Sequence, residues 1–213
     1  MTRISVRDLA DFKQSKKRFT MLTSYDSLTA SLFDEAGIPV LLVGDSAANL
    51  VFGYDSTLPV TVEDMLPIVS AVARSSKNAM VVADMPFGSY QTSTSSALES
   101  ATKFLKAGAH AIKLEGGQRI VETVKVLVEA GIPVMGHIGL TPQSVNVFGG
   151  YKVQGRGEQA DQLLLDAKSL ASAGAFSIVL EAIPSELAKQ ITESVSIPTI
   201  GSMSSTMTGS VES

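Results

Sequence analysis

The sequence of 213 residues predicts an α/β protein of the TIM (β/α)8 barrel type. Three observations predict it. First, a unit recurs in which a helical stretch ends in Ala-Gly and an apolar strand follows: DEAGIPV, LKAGAHA, VEAGIPV and ASAGAFS, around Gly37, Gly108, Gly131 and Gly174. Glycine just past a helix end takes the left-handed conformation that satisfies the last carbonyls. Second, the strands that follow are continuous apolar runs rather than alternations, as expected where helices cover both faces of a parallel sheet. Third, no G-x-G-x-x-G follows the first strand, which argues against an open dinucleotide-binding sheet.

The strands read, in order, as Phe19–Ser24, Val40–Gly44, Met80–Ala83, Ala111–Leu114, Val134–Gly136, Ser177–Leu180 and Thr199–Ile200. Helices fill the intervals. Thr61 with Asp64 forms a capping box ahead of Met65, Ile68, Val69 and Val72, which share one helical face. Ile120, Val121, Val124, Leu127 and Val128 make a second such face, and Leu163, Leu164, Ala167, Leu170 and Ala171 a third. Strands alternating with helices through short turns give βαβ units. A barrel typically takes ~250 residues, and the predicted strands stop at seven. The expectation is therefore a barrel domain over residues 1–201, truncated after its seventh strand. The Ser-, Thr-, Gly- and Met-rich residues 202–213 read as a disordered or atypical tail.

Composition narrows the function. A net charge of -4 and a pI near 5.2 argue against a nucleic-acid footprint. The chain has no cysteine, which excludes disulfides, thiolate zinc sites, iron–sulfur clusters and cysteine nucleophiles together. No run approaches the ~18 apolar residues of a membrane span. The charged start, MTRISVRDLADFKQSKKRF, lacks the apolar core of a signal peptide. The expected location is the cytoplasm.

Five strands run directly into polar residues. LLVGD ends in Asp45 and is followed by Ser46; MVVAD ends in Asp84; AIKLE ends in Glu115, with Lys113 two residues earlier; PVMGH ends in His137; SIVLE ends in Glu181. In a barrel these ends gather on one face, where catalytic groups come from several strands. An Asp after a strand is often a helix N-cap. The next helices are expected near Thr61 and Thr94, ten or more residues beyond Asp45 and Asp84. Capping therefore does not account for these two. Glu115 could serve the dipole of a helix near Gln118, His137 a structural hydrogen bond, and Glu181 a salt bridge to a neighbouring loop. Taken together, several like charges buried side by side cost several kcal/mol unless a cation or a proton compensates. Carboxylates without cysteine suit Mg2+, which keeps positions for water and substrate oxygens; zinc would more often use His or Cys. Asp45 and Asp84 are the expected direct ligands, with Glu115 completing the set through water.

Several ordered motifs carry a family likeness: TSYD at Thr23–Asp26, VGDS at Val43–Ser46, GYDSTLPVT at Gly53–Thr61, ADMPFGSY at Ala83–Tyr90, KLEGG at Lys113–Gly117, GHIGLTPQSVNVFGGYKVQGRG at Gly136–Gly157 and VLEAIP at Val179–Pro184. They are collinear over about Arg18 to Gly201, and through them the chain resembles the ketopantoate (3-methyl-2-oxobutanoate) hydroxymethyltransferases.

The resemblance implies a TIM barrel that transfers a hydroxymethyl group from 5,10-methylenetetrahydrofolate to 3-methyl-2-oxobutanoate. The product is 2-dehydropantoate, on the route to pantothenate and coenzyme A, and the reaction passes through an enolate stabilised by Mg2+. It further implies Asp45, Asp84 and Glu115 at the metal, Ser46, Asp84 and Lys113 with Asp45 at the oxo acid, and Glu181 as catalytic base. A homo-oligomer follows as well. His137 is given a supporting role, orienting a ligand or water. The long segment Leu140–Gly157 reads as a loop over the site, with Lys152 and Arg156 either meeting folate carboxylates or serving as solvated charges. Two other readings stay open: another Mg2+-dependent oxo-acid lyase or mutase on the same barrel, and a non-catalytic truncated barrel.

Overall fold

The structure, a computed structural model, describes residues 3–144, Gly155 and 158–202. Its elements run α1 (Val6–Gln14), β1 (Met21–Thr23), α2 (Ser27–Glu35), β2 (Val40–Val43), α3 (Ala47–Leu50), α4 (Val62–Ser75), β3 (Met80–Asp84), α5 (Thr94–Lys106), β4 (Ala111–Glu115), a 3-10 turn (Gln118–Ile120), α6 (Val121–Glu129), β5 (Val134–Gly139), a 3-10 turn (Pro142–Ser144), α7 (Glu158–Ser172), β6 (Ser177–Glu181), α8 (Ser185–Ser194) and β7 (Thr199–Ser202). All seven strands are parallel and lie in chain order, β1 to β7. This is the βα alternation expected of the barrel. The four repeat glycines, Gly37, Gly108, Gly131 and Gly174, all carry positive φ, between 79° and 108°. Ser202, read above as tail, belongs to β7; residues 203–213 lie outside the described residues. No described helix is long and apolar enough to cross a membrane.

Side chains on a strand alternate between its two faces, and here the alternation sorts the chain into two cores. Leu41, Val43, Val81, Ala83, Ile112, Leu114, Val134, Ile138, Ile178 and Leu180 point outward and pack against the helices. The helix faces predicted from periodicity meet them there: Met65, Val69 and Val72 of α4, Val124 and Leu127 of α6, and Leu163, Ala167 and Leu170 of α7 are all buried in this layer. The inward set begins apolar, with Val40, Leu42, Met80, Val82, Ala111, Met135 and Val179.

Leu9 of α1, fully buried, joins that inward set. The amino-terminal segment, read from sequence only as charged, is thus a helix that floors the barrel. Ser5 and Asp8 cap it reciprocally. Arg3 ties it to the turn before β3, donating to the carbonyls of Ala79 and Ser76 at 2.8 Å each. Lys13 ties it to α8, donating to Thr192 O at 2.6 Å. Asp34 of α2 anchors the same end of the barrel. Its buried carboxylate accepts from Lys77 N, Asn78 N, Asn78 Nδ2 and Ala79 N at 2.7–3.1 Å.

Candidate metal and acid-base centre

Further along the same inward-facing rows the residues turn ionic. Asp84 follows Val82 on β3, Lys113 and Glu115 follow Ala111 on β4, His137 follows Met135 on β5, and Glu181 follows Val179 on β6. The strand register sets Asp84 beside Lys113, and Glu115 beside His137. Asp45, two residues past β2, reaches the same place; its main-chain N–H donates to Asp84 Oδ2 at 3.2 Å. The strand-end residues singled out from sequence therefore converge, and Asp45, Asp84, Lys113, Glu115 and His137 are each no more than 4% exposed.

Asp45, Asp84 and Glu115 each offer a carboxylate oxygen within 4.8 Å of the others, close enough for one cation. Lys113 Nζ lies 2.8 Å from Asp84 Oδ1 and 3.7 Å from Glu115 Oε1. The 2.8 Å contact pairs Asp84 Oδ1 with the ammonium, which opposes the burial that raises the proton affinity of Asp84. Three carboxylates buried this close together are costly without a further positive partner. The donor set, three carboxylates and no sulfur, fits a hard divalent ion such as Mg2+.

The proton affinities of the acids report the same imbalance. Burial, reinforced by the charge of Asp84 and opposed by Lys113, holds the Asp45 carboxyl well above its ordinary value. Asp84 is raised too, by burial and by Glu115 against the pull of Lys113. Glu115 is lowered: burial opposes ionisation, but the contacts with His137 and Lys113 and the Gln143 N–H outweigh it. A dication in the cluster would reverse the repulsion that raises the two aspartates.

His137 bridges the cluster to Glu181. Its Nδ1 is 3.1 Å from Lys113 Nζ and 3.4 Å from Glu115 Oε1, and its Nε2 is 3.3 Å from Glu181 Oε2. Burial and the Lys113 charge oppose protonation of the ring, but Glu115 and Glu181 outweigh them and raise its pKa to about 9. Glu181 is the most accessible acid of this centre, with 17% of its side chain exposed against 1–3% for Glu115 and Asp84. The chain bends sharply behind it: Ala182 has φ +50°, a conformation that costs a non-glycine residue on the order of 1 kcal/mol.

Ser46 stands at the rim, its Oγ 2.6 Å from Tyr25 Oη. It is the N-cap residue of α3, although its hydroxyl caps nothing. This short helix corrects the expectation that the next helix after Asp45 starts near Thr61. The expectation for Asp84 holds, since α5 starts at Thr94. AANL is only four residues long, too short for a periodic face to show. The reading of Asp45 as more than a cap stands, because its carboxylate accepts from Gln143 Nε2 at 2.9 Å.

Sequence reasoning missed two buried residues of this centre, Gln143 and Tyr90. Gln143 also donates its main-chain N–H to Glu115 Oε2 at 3.0 Å, and its Oε1 accepts from Tyr90 Oη at 2.7 Å. The Tyr90 hydroxyl in turn accepts from Glu115 N at 3.1 Å. Both residues lie inside quoted motifs, ADMPFGSY and GLTPQS, which was the available signal; neither is at a strand end. Lys152 and Arg156 lie outside the described residues.

A sequence model of the family described as ketopantoate hydroxymethyltransferase matches residues 3–211. The 3-methyl-2-oxobutanoate hydroxymethyltransferase of Thermobifida fusca is 62% identical over 201 residues, 93% of this chain and 72% of that protein. The enzyme of the same name from Mycobacterium tuberculosis is 55% identical over 201 residues, 94% of this chain and 72% of that protein. Among solved structures, 2,3-dimethylmalate lyase of the PEP mutase/isocitrate lyase superfamily superposes with a TM-score of 0.70 at 19% identity, covering all of this chain and 76% of the other. Phosphonopyruvate hydrolase in complex with oxalate and Mg2+ superposes with a TM-score of 0.64 at 15% identity, covering 94% of this chain and 81% of the other. Likeness at such identities speaks for the barrel alone.

Proposed function

Since the chain belongs to the ketopantoate hydroxymethyltransferase family, we propose that it transfers a hydroxymethyl group from 5,10-methylenetetrahydrofolate to 3-methyl-2-oxobutanoate, giving 2-dehydropantoate for pantothenate synthesis. The observation that carries this reading is the separation of the acids. Three of them are buried around one point with Lys113, while Glu181 stands apart behind His137 with part of its side chain open.

In this reading Asp45, Asp84 and Glu115 hold Mg2+. Bound there, Mg2+ supplies Lewis-acid polarisation of the substrate's 2-oxo group. Ser46, at the rim, orients the carboxylate end of the oxo acid, and Asp45, Asp84 and Lys113 contact it from below. Glu181 takes the C3 proton, and the electron pair of that C–H bond moves toward the 2-oxo oxygen. The Lys113 ammonium is fixed in advance near the charge that develops, the kind of preorganisation that contributes most to such steps. His137 keeps the Glu181 carboxylate aimed. C3 then forms the new carbon–carbon bond to the one-carbon unit as the 2-oxo group is restored; the unit's two bonds to folate nitrogens break, one water supplies the hydroxyl, and tetrahydrofolate leaves. In this reading the enzyme acts in the cytoplasm as a homo-oligomer, with the barrel, expected over residues 1–201 and reaching Ser202 in β7, as its domain.

The test is hydrogen exchange without folate. Incubation with 3-methyl-2-oxobutanoate and Mg2+ in D2O should deuterate C3, followed by NMR, and Glu181→Gln should abolish it. A folded, monodisperse sample that exchanges nothing overturns the proposal. Exchange without product after methylenetetrahydrofolate is added would favour a lyase or mutase instead.

A further inference from the structure

Gln143 lies on neither a strand nor a long helix, yet it joins more of the acid centre than any other neutral side chain. It sits in the 3-10 turn Pro142–Ser144 and is 5% exposed. Its main-chain N–H holds Glu115 Oε2 at 3.0 Å, and its side-chain Nε2 holds Asp45 Oδ2 at 2.9 Å. One residue thus fastens one oxygen on each of two candidate ligands that come from different strands.

The direction of the amide is fixed by its surroundings. Nε2 faces two acceptors, Asp45 Oδ2 and Met85 O, both at 2.9 Å. Oε1 faces two donors, Tyr90 Oη at 2.7 Å and Gln91 Nε2 at 3.2 Å. Turning the amide over would set acceptor against acceptor at Asp45 and Met85 and donor against donor at Gln91, three of the four contacts. Gln91 is braced as well, its Oε1 accepting from Gly88 N at 2.7 Å. Asp45 and Glu115 repel each other, and without a partner they would swing apart or take up a proton. Gln143 opposes both outcomes by donating to each.

From this geometry we infer that Gln143 is a positioning residue that sets the spacing of Asp45 and Glu115 for a divalent cation, with the Tyr90 hydroxyl holding its Oε1 in place. The inference rests on reading Asp45, Asp84 and Glu115 as a cation site. Residues that orient metal ligands typically contribute 10–100-fold to metal affinity.

The experiment titrates Mn2+, as a spectroscopic stand-in for Mg2+, into wild-type protein, Gln143→Ala and Tyr90→Phe, reading bound Mn2+ by electron paramagnetic resonance and Tm in parallel without metal. Gln143→Ala should weaken Mn2+ binding at least tenfold and broaden the signal of what remains bound. Tyr90→Phe keeps the aromatic ring in the core and should weaken binding at least threefold; it carries the test alone if Gln143→Ala does not fold. A lowered Tm with Mn2+ affinity within threefold of wild type in both variants would reduce Gln143 to a structural amide and overturn the inference. No Mn2+ binding by the wild type would instead overturn the cation site on which it rests.

Discussion

Gly139 faces the main-chain oxygen of Glu181 with no room for a side chain between them. The two are register partners across β5 and β6, and Leu140 N donates to that same oxygen at 2.9 Å. Gly139 also has φ +95°. Gly139→Ala would drive a methyl group into the carbonyl and into Ile183 Cγ2, in a conformation that costs on the order of 1–3 kcal/mol for alanine. Because Glu181 would have to move, C3 exchange should fall about tenfold or more at temperatures where the variant is still folded. A variant that loses only Tm would show that the position of Glu181 is set elsewhere.

Lys113 is the cation beside Asp84 in the acid cluster. Lys113→Met leaves the acids without it, and breaking a buried pair costs roughly 3–5 kcal/mol. Mg2+ should restore part of the loss, since the vacated charge is the one a dication supplies. Urea unfolding with and without Mg2+ measures this; equal losses in both conditions would contradict it.

His110 gives a pH dependence away from the site. Its Nδ1 accepts from Val81 N at 3.0 Å. Burial, with the nearby Arg3 charge, lowers its pKa to about 4 from an ordinary 6.5. The unfolded chain therefore binds a proton at higher pH than the folded one does. The contribution is fully present above pH 6.5 and is lost as pH falls from about 6.5 toward 4. Partial exposure keeps the effect modest, on the order of 1 kcal/mol. His110→Asn should flatten that part of the Tm-against-pH curve, and parallel curves would refute the assignment.

Asp34 holds the turn between α4 and β3 through four N–H donors. Burial opposes its ionisation, but the N–H groups of residues 77–79 outweigh it and lower its pKa. Its contribution is present above about pH 4 and is lost as pH falls through the depressed value. Asp34→Ala leaves those donors unpaired and should cost about 2–4 kcal/mol near neutrality. Denaturant midpoints at pH 7 and pH 3 should differ in how far the variant trails the wild type.

Much of this was legible because two simple periods govern the chain. Continuous apolar runs, four of them after Ala-Gly, located all seven strands within a few residues, and the polar residues ending five of them located Asp45, Asp84, Glu115, His137 and Glu181. The structure extends β5 to Gly139, beyond the predicted Gly136. The glycines and His137 there interrupt the apolar run without breaking the pairing. Gln143 and Tyr90 were not legible as site residues. An amide in a turn and a hydroxyl in a loop acquire their roles only when β3, β4 and the segment after β5 are brought together. The helix α1 was read only by its charge, although Val6, Leu9 and Ala10 share a helical spacing and Val6 and Phe12 pack beside Leu9 on the inward core.

The alternation along β3 to β6 has a consequence for folding as well as for chemistry. A strand paired one residue out of register would turn its side chains to the opposite face. On β4 that would press Lys113 and Glu115 against the apolar helix layer and expose Ile112 and Leu114 to the acids of neighbouring strands. Such a slip would bury unpaired charge, so the misregistered barrel is disfavoured by the residues of the acid centre. The buried charges thus act as a proofreading code for strand assembly, and a variant stripped of them should lose fidelity in folding.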